Sequence, residues 1–440
     1  MSSEQQSTYP NPRVANYVLA LLVFAYILSF VDRNILAVMV GPIREEFSLT
    51  DFEFSILHGW AFTLFYIFLG FPIAWLADRF SRKWIIVSGI ALWSCMTGVC
   101  GLAKTHAGLF LARAGVGVGE AALSPAAYSL FGDYFPPKRL KYATSIYASG
   151  IALGSGGSYM IGGWLYEWYA SIGAISVPAL GVVLKPWQMT FVSVGLPGFI
   201  IAFLLLMVRE PPRKQTALDT GDPVPVTAVW LHLCTYRRAY FGVIGSMSMM
   251  AIVGYGVTIW LPEFFFRTHG MSKSASGTFL GLVFIVGGCL GTICGAPMAG
   301  WLERRGFGDA NLRLVALIAS AVALPSIAAA LVPSAWLSMV LFAIAQFFQF
   351  AHAGVGLAAL QLITPNRMRA QVSALFLFAT SLFGLALGGS CIAFFTDYVF
   401  KDDYSLHYSM AVVALVFYPL AASVAWVGLS GYRQAQRAIA

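Results

Sequence analysis

The chain has 440 residues, of which 59% are hydrophobic and only 10% are charged, and its mean hydropathy is +0.75. An ordinary soluble domain carries about 25% charged residues, so this chain has too few charges to cover the surface of a soluble enzyme. The composition also excludes a disordered, collagen-like or disulfide-rich protein. A membrane protein is the class that remains.

The N-terminal segment and the cysteines both fit this class. Residues 1–13 are polar and lack the short apolar core and small-residue cleavage site of a signal peptide. We therefore expect a cytoplasmic tail followed by a retained first helix. The six cysteines form no CxxC pair, and five fall inside apolar runs, which is typical of packing residues.

Long uncharged stretches recur along the chain, and a membrane-spanning helix needs about 20 apolar residues. They predict an all-α membrane protein with twelve transmembrane helices. Residues 314–363 contain no charge and are too long for one helix, so Pro333-Ser334 is the expected break. The predicted spans are about 14–40, 54–77, 84–104, 106–132, 142–166, 186–208, 239–263, 274–302, 313–332, 335–362, 369–396 and 407–431.

The distribution of basic residues predicts the orientation of these helices. With both termini in the cytoplasm, 19 of the 27 Lys and Arg residues lie in cytoplasmic segments and six in outer loops. This asymmetry satisfies the positive-inside rule, predicts a multi-pass protein of the inner membrane, and explains the basic net charge without a nucleic-acid partner. A thirteenth helix in the apolar segment 168–184 would place basic loops outside, so we predict an outer loop there.

The longest polar stretch, residues 209–238, divides the chain into two hydrophobic halves. The halves resemble each other weakly, because GFPIAWLADR (70–79) aligns with GAPMAGWLER (295–304). Two similar six-helix halves are typical of duplicated transporters. We predict a cytoplasmic tail (1–13), an N-terminal six-helix bundle (14–208), a cytoplasmic linker (209–238), a C-terminal six-helix bundle (239–432) and a second cytoplasmic tail (433–440).

Four charged residues remain inside the predicted helices once the loop charges are set aside. Asp32 and Arg33 lie in helix 1, and Arg113 and Glu120 lie in helix 4. A charge at mid-membrane costs from about 2.5 to more than 10 kcal/mol, and such residues normally face a bundle interior and pair with one another. Arg113 and Glu120 share one helix face, whereas the adjacent Asp32 and Arg33 point in different directions.

Two interpretations of these four charges stay open. Burial favours the protonated form of a carboxyl group, and a nearby arginine favours the ionised form. If the arginine moves away during a conformational change, Asp32 or Glu120 takes up a proton, so the two are the expected proton-coupling residues. Arg33 and Arg113 are then charge partners or contacts of an anionic substrate. The alternative is a static ion-pair network that only fixes helix packing.

The end of helix 2 predicts a cytoplasmic gate. The Asp78 carboxylate is expected to meet the N-terminus of helix 11, near residues 367–371, because a helix dipole favours an anion there. The alternative is that these charged residues only follow the positive-inside rule and hold the helix ends at the cytoplasmic surface of the membrane. For Arg82 this alternative is the favoured interpretation. The further candidates for this gate are Arg79, Arg82, Arg139, Glu303 and Arg304.

The second half of the chain offers few polar groups. His352 and Gln346 in helix 10 are candidates for the lining of a cavity, with a hydrogen-bonded structural histidine as the alternative. Glycines in helices 5 and 11 indicate either close packing or surfaces that slide. We find no nucleophile–base order, metal-ligand spacing or phosphate-cradling loop, so we expect no catalytic residue, metal site or cofactor.

At these residues the chain resembles the major facilitator superfamily, through its twelve predicted helices, its central cytoplasmic loop and the motif Gly70…Asp78-Arg79…Arg82-Lys83. Its first half is similar to the spinster-type branch, the sphingolipid and lysolipid transporters, and its short loops are typical of a prokaryotic homologue. The residues that carry this likeness are Tyr26, Val31-Asp32-Arg33, Trp93, Arg113, Gly119-Glu120-Ala121, Ser124-Pro125, Asp133, Arg139 and Gly154-Ser155-Gly156.

The resemblance implies alternating access around a central cavity and proton-linked transport of an amphipathic, lipid-like molecule of lysolipid or sphingoid type. The expected partners are the lipid bilayer, protons and this small amphipathic or anionic substrate, and we expect a monomer. Asp32 and Glu120 would be the protonatable pair. Organic-anion symporters of the same superfamily also carry an Asp-Arg pair in helix 1, so a proton-coupled carboxylate symporter is the alternative function. A lipid-modifying enzyme and a channel are the rivals from other classes, and the sequence favours neither.

Overall fold

The computed structural model describes residues 9–177, 182–213 and 225–439, and the side chain of Asp78 lies outside what it describes. This part of the chain is almost entirely helical. The helices are α1 (Pro12–Val38), α2 (Val40–Phe47), α3 (Asp51–Ser55), α4 (Ala61–Arg79), α5 (Arg82–Leu102), α6 (His106–Ala121), α7 (Leu123–Tyr134), α8 (Pro137–Ile172), α9 (Pro186–Leu206), α10 (Val226–Thr235), α11 (Arg237–Tyr240), α12 (Ser246–His269), α13 (Lys273–Leu282), α14 (Gly288–Arg304), α15 (Ala310–Leu331), α16 (Ala335–Leu362), α17 (Arg369–Ser381), α18 (Gly388–Phe394) and α19 (Leu406–Ile439).

Short π-helical and 3₁₀ segments connect several of these helices without breaking the path of the chain. π-Helical turns often mark functional positions, because they shift the register of the side chains that follow. The π segments are Ile56–Trp60, Phe241–Gly245, Val283–Gly287, Leu382–Leu387 and Phe395–Phe400, and the 3₁₀ segments are Asn366–Met368 and Asp403–Ser405.

Local sequence explains where several helices begin. Pro12 occupies the first turn of α1, where the missing N–H costs nothing, and the Asn11 side chain accepts the N–H of Arg13. Thr50 and Glu53 form a capping box at α3. Side-chain oxygens of Ser81, Thr105 and Ser334 likewise accept N–H groups at the starts of α5, α6 and α16.

Ten helices in the described chain are long and apolar enough to cross a membrane, which makes this a multi-pass membrane protein. Two of the twelve predicted helices fall outside that group and stay predictions. They are 106–132, which is interrupted at Ala122 between α6 and α7, and 142–166, which lies within the Gly- and Ser-rich α8. The ten are Pro12–Val38, Asp51–Ala77, Arg82–Leu102, Pro186–Leu206, Arg237–His269, Lys273–Arg304, Ala310–Leu331, Ala335–Leu362, Gln371–Phe400 and Asp403–Ala438.

Two sequence predictions about helix ends have clear outcomes. The break expected at Pro333-Ser334 is confirmed, because α15 ends at Leu331 and α16 begins at Ala335. The predicted end of helix 7 at residue 263 is wrong, because α12 continues to His269. The apolar segment 168–184 holds the last turn of α8 and an antiparallel hairpin, Ile175–Val177 with Val182–Leu184, and no further helix in its described residues.

Contacts group the described residues into two compact units. The first lies within Met1–Ser48, Ala61–Thr220 and Lys273–Gly281, and the second within Leu49–Trp60, Gly221–Ser272 and Leu282–Ala440. In the first unit α1 packs on α8, and α5 packs on α6 and α9. In the second, α15 packs on α16 and α19. The bundle boundaries predicted at 208 and 239 stay predictions.

Candidate functional site

Arg33 and Glu120 form a buried ion pair inside the first unit. Nη2 of Arg33 lies 2.5 Å from Oε2 of Glu120, and Nε of Arg33 lies 3.2 Å from the same oxygen. Only 9% of the Arg33 side chain and 1% of the Glu120 side chain are exposed. Arg33 lies on α1 and Glu120 lies on α6, so this ion pair links the two helices.

Asp32 and Arg113 are buried beside this pair but do not hydrogen-bond to each other's side chains. Neither carboxylate oxygen of Asp32 has a hydrogen-bond partner among the described residues. Arg113 instead donates from Nη1 to the carbonyl oxygen of Asp32 (3.0 Å) and from Nη2 to that of Arg33 (3.1 Å). Its planar guanidinium spans two consecutive carbonyl groups, so Arg113 fixes the backbone from which Asp32 and Arg33 project.

Three aromatic rings surround the guanidinium group of Arg33. Its central carbon lies 4.6 Å from the ring centroids of Phe30 and Phe62, and 5.2 Å from that of Tyr66. A cation over an aromatic face is attracted by the ring quadrupole, by up to about 2 kcal/mol where water is excluded. The rings therefore hold the charge of Arg33 in place from the sides that Glu120 does not cover.

A tyrosine cluster, Tyr26, Tyr66, Tyr128 and Tyr147, continues from these rings. The rings of Tyr26 and Tyr147 stack at 4.3 Å, and the ring of Tyr128 meets that of Tyr147 edge-on at 5.4 Å. The Tyr147 hydroxyl lies 3.3 Å from Oγ of Ser124. Tyr128 is 46% exposed, and the ring of Tyr26 meets that of Phe30 at 5.2 Å, so aromatic rings lead from an exposed tyrosine to Arg33. Of these four residues only Tyr26 was singled out, as part of the family resemblance, since aromatic residues are common in apolar helices.

Arg82 is the centre of a second polar cluster, at the predicted cytoplasmic end of the first unit. Its side chain is 2% exposed and forms ion pairs with Asp133 and Glu210, contacts that the favoured interpretation of positive-inside anchoring did not predict. Glu210 also accepts hydrogen bonds from Ser81 and from the N–H groups of Arg82 and Lys83. Partial burial raises the pKa of the Glu210 carboxyl, but these hydrogen bonds outweigh it and lower the pKa below its ordinary value.

The other predicted gate residues do not form a comparable buried cluster among the described side chains. The Arg79 guanidinium stacks over the Trp75 ring at 3.9 Å, while Arg139 and Arg304 are exposed. Glu303 lines a cavity of about 370 Å³ between α14 and α16 in the second unit. The predicted contact of Asp78 with helix 11 lies outside the described side chains and stays a prediction.

His352 and Gln346 are both buried in α16. Nδ1 of His352 lies 3.4 Å from the carbonyl oxygen of Phe348 in its own helix. Nε2 of Gln346 has no hydrogen-bond partner in the part of the chain that the structure describes. Both residues thus lie in the interior of the second unit, and a role for them in a cavity stays a prediction.

The second unit holds a buried ion-pair cluster that the sequence analysis missed. Arg267 makes a two-pronged contact with Asp51, at 2.7 and 2.9 Å, and a third hydrogen bond to Glu263 at 2.9 Å. The exposed fractions of these side chains are 7%, 0% and 4%. The predicted helix 239–263 ends at Glu263 and leaves Arg267 in an outer loop, so the pair was not recognised. Their spacing of four residues on an apolar helix is the signal that would have found them.

Carboxylate oxygens of Asp51, Asp397 and Asp403 also lie within 4.8 Å of one another. Protein donors already reach two of these groups, because Arg267 binds Asp51 and the N–H of Phe52 donates to Asp397 at 2.6 Å. Two of the three clustered acids are therefore bound by protein donors.

Glycines allow two very close helix contacts on the predicted outer side, one in each unit. In the first unit, a Cβ at Gly163 of α8 would lie 2.3 Å from the carbonyl oxygen of Lys273, and one at Gly277 would lie 2.3 Å from that of Tyr159. In the second unit, a Cβ at Gly59 would lie 2.3 Å from the carbonyl oxygen of Leu385. We call these the α8 seam and the Gly59 seam.

The chain matches the model of the Major Facilitator Superfamily over residues 22–389. It belongs to the major facilitator superfamily. It is 26% identical to an MFS-type efflux pump of Mycolicibacterium smegmatis, covering 96% of this chain and 94% of that protein. It is 28% identical to human protein spinster homolog 1, covering 67% of this chain, and the match spans about half (56%) of the human protein.

A solved structure of a bacterial transporter shows the same family relationship as the sequence comparisons. The chain superposes with a TM-score of 0.81 on a bacterial homolog of the human lysosomal transporter spinster, in an inward-facing and unoccupied conformation. The two chains are 26% identical, and the alignment covers 97% of this chain and 99% of the homolog. The predicted resemblance to spinster-type transporters of prokaryotic origin is confirmed, and the protein is a spinster-like transporter.

Proposed function

We propose that the protein is a proton-coupled secondary transporter that works by alternating access and moves an amphipathic molecule of lysolipid or sphingoid type. The observation that supports this most directly is the buried Arg33–Glu120 ion pair beside Asp32, whose carboxylate has no hydrogen-bond partner among the described residues. A buried pair is weak evidence for stability, because desolvation offsets most of its attraction. A buried carboxyl group beside an arginine can take up a proton when the arginine moves away, which is the property that proton coupling uses.

The ion pair provides the coupling step. An anionic headgroup that reaches Arg33 competes with Glu120 for the guanidinium group. Once Glu120 loses its partner in a dry interior, the protonated form of its carboxyl group is favoured. Proton binding and anion binding then strengthen each other, and by linkage each changes the affinity for the other by the same factor.

The tyrosine cluster supports an amphipathic substrate. Its hydroxyl groups can donate to phosphate or carboxylate oxygens, and its ring faces offer apolar area for the start of an acyl chain. Arg33 provides the positive charge at the end of this path. Arg113 is a positioning residue in this scheme, because it binds the backbone of Asp32 and Arg33 rather than a substrate.

Alternating access requires that the two seams on the outer side separate. Each is formed by backbone atoms in direct contact, so each has a closed state that does not depend on flexible side chains. We further propose that twelve helices form two six-helix bundles, with both termini on the cytoplasmic side of the inner membrane, and that the protein acts as a monomer.

Substrate class can be tested in proteoliposomes that contain a pH-sensitive dye. A lysophospholipid, a sphingoid phosphate and a small carboxylate would be added separately, each below its micellar concentration. We expect proton flux with the two lipids, loss of that flux in Arg33→Gln, and wild-type flux in Arg437→Gln, an exposed arginine of α19 that serves as the matched control.

Flux that follows the carboxylate alone would replace this proposal with the organic-anion alternative. Substrate movement without any proton flux would contradict proton coupling itself. In that case the four buried charges would serve as a structural network.

A further inference from the structure

The helices α14 and α16 of the second unit touch at one level and separate at the next. A Cβ at Gly291 of α14 would lie 2.3 Å from the carbonyl oxygen of Phe347. A Cβ at Gly295, one turn later, would lie 2.2 Å from the carbonyl oxygen of Ala351. At Gly354 of α16, about one turn beyond Ala351, a Cβ would meet no atom within 4 Å. The space that opens there is the cavity of about 370 Å³ between the two helices.

The walls of this cavity are small and apolar. Ala299 and Gly300 line it from α14, and Gly354 and Ala358 line it from α16. Its volume falls within the range of about 300–1,000 Å³ that is typical of small-molecule sites. None of the described residues that line it is aromatic. The walls therefore offer apolar contact to an alkyl chain, and they lack the rings that recognise quaternary ammonium groups.

Two polar side chains line the cavity near the junction of α14 and α15, Glu303 and Asn311. Asn311 is only 8% exposed, and its side-chain amide has no hydrogen-bond partner among the described residues. Glu303 forms no ion pair in the part of the chain that the structure describes. Buried polar groups are normally paired, because an unpaired amide costs free energy. An amide and a carboxylate without such partners point to a ligand that supplies hydrogen-bond donors.

A primary ammonium group matches these two acceptors. It carries three N–H donors and no acceptor, so it can donate to the carboxylate oxygens of Glu303 and to Oδ1 of Asn311 at once. Charge-assisted hydrogen bonds of this kind are about twice as strong as neutral ones. An anion is the opposite candidate, because a Cβ at Gly300 would lie 3.6 Å from Nη1 of Arg304. Glu303 lines the cavity, however, and Arg304 does not.

We propose that this cavity is a binding site for an alkylammonium ligand: Glu303 and Asn311 accept hydrogen bonds from a primary ammonium group, and the small residues of α14 and α16 contact its alkyl chain. The inference rests on the proposed transport of an amphipathic molecule and narrows that substrate to one with a primary amine. It places a ligand site in the second unit, separate from the Arg33–Glu120 ion pair of the first unit.

Saturable binding of radiolabelled n-octylamine to the purified protein in nanodiscs tests the site, with protein-free nanodiscs as the blank. Glu303→Gln keeps an acceptor but removes the charge, so we expect the dissociation constant to rise about tenfold. Gly354→Leu fills the cavity from a position where a Cβ meets no atom within 4 Å, and it should abolish binding. Glu45→Gln, an exposed acid of α2, is the control for charge, and Gly98→Leu of α5, where a Cβ is equally free, is the control for the added side chain.

Unlabelled octyltrimethylammonium and n-octanoate are added as competitors, and neither should displace the amine. Equal affinity in wild type, Glu303→Gln and Gly354→Leu would overturn the inference, and so would displacement by octanoate, which would assign the site to an anion.

Proton flux in proteoliposomes is measured on the same preparations. Lipid-driven flux without octylamine binding would refute the inference and leave the proposed function standing. Octylamine binding without any substrate movement would refute the proposed function, and with it the role of this site in transport.

Discussion

The α8 seam makes a quantitative prediction about the conformational equilibrium. In Gly163→Ala the new Cβ would lie 2.3 Å from the carbonyl oxygen of Lys273 and 2.9 Å from its carbonyl carbon. Both are backbone atoms and cannot rotate away, so α8 and residues 273–281 must move apart. Overpacking of this kind costs about 1–3 kcal/mol. We expect the equilibrium to shift toward states with the seam open by about 5- to 150-fold.

Labelling of a single reporter cysteine measures this shift. Ser276 is 1% exposed in the closed seam, so Ser276→Cys in a background without the six native cysteines should react slowly with a membrane-impermeant maleimide added outside. Gly163→Ala should raise the labelling rate by the factor given above. Gly157→Ala is the matched control on the same helix, because its Cβ would have its nearest contacts at 4.0 Å.

Equal labelling rates in the two alanine variants would refute the reasoning. Both substitutions raise helix propensity by up to about 1 kcal/mol, so a difference between them reports the seam alone. A monodisperse size-exclusion peak for each variant shows that the labelled species are folded.

Three further predictions follow from the ion pairs and hydrogen bonds of the two units. Asp51→Asn weakens the two charge-assisted hydrogen bonds to Arg267 but leaves Glu263 as its partner, and should lower stability by about 1–3 kcal/mol in detergent unfolding, whereas replacing an exposed acid such as Glu45 should have little effect. Arg113→Lys cannot span two carbonyl oxygens and should lose transport while the protein stays folded; normal transport would count against its positioning role. The pKa of Glu210 is lowered in the folded protein, so its contribution to stability is present above the unfolded value of about 4.5 and is lost as the pH falls below it. Stability should therefore fall less steeply at acidic pH in Glu210→Gln than in wild type, and parallel curves would exclude this contribution.

Much of the fold could be predicted from hydropathy, because long apolar runs have one stable solution in a bilayer. The break between α15 and α16 followed from a single Pro-Ser pair. The end of α12 was missed because Arg267 looks like a loop residue until its partner Asp51, more than 200 positions away, is known. Helix ends that depend on such distant partners cannot be read from the local sequence.

The residues of the candidate site could be predicted from the sequence, but their contacts could not. Asp32, Arg33, Arg113 and Glu120 stand out because charges are rare in apolar helices. Which of them pair was not predictable, since Arg113 binds backbone carbonyls that every residue offers.

Coupling between the proton gradient and substrate movement is the central claim, and two assays on Glu120→Gln test it most directly. Wild-type protein and the variant are reconstituted side by side, and substrate accumulation driven by a pH gradient is compared with substrate exchange at equal pH. We predict that the variant exchanges substrate yet no longer accumulates it, because glutamine can accept a hydrogen bond from Arg33 but cannot take up a proton. Accumulation at the wild-type level in Glu120→Gln would contradict the account.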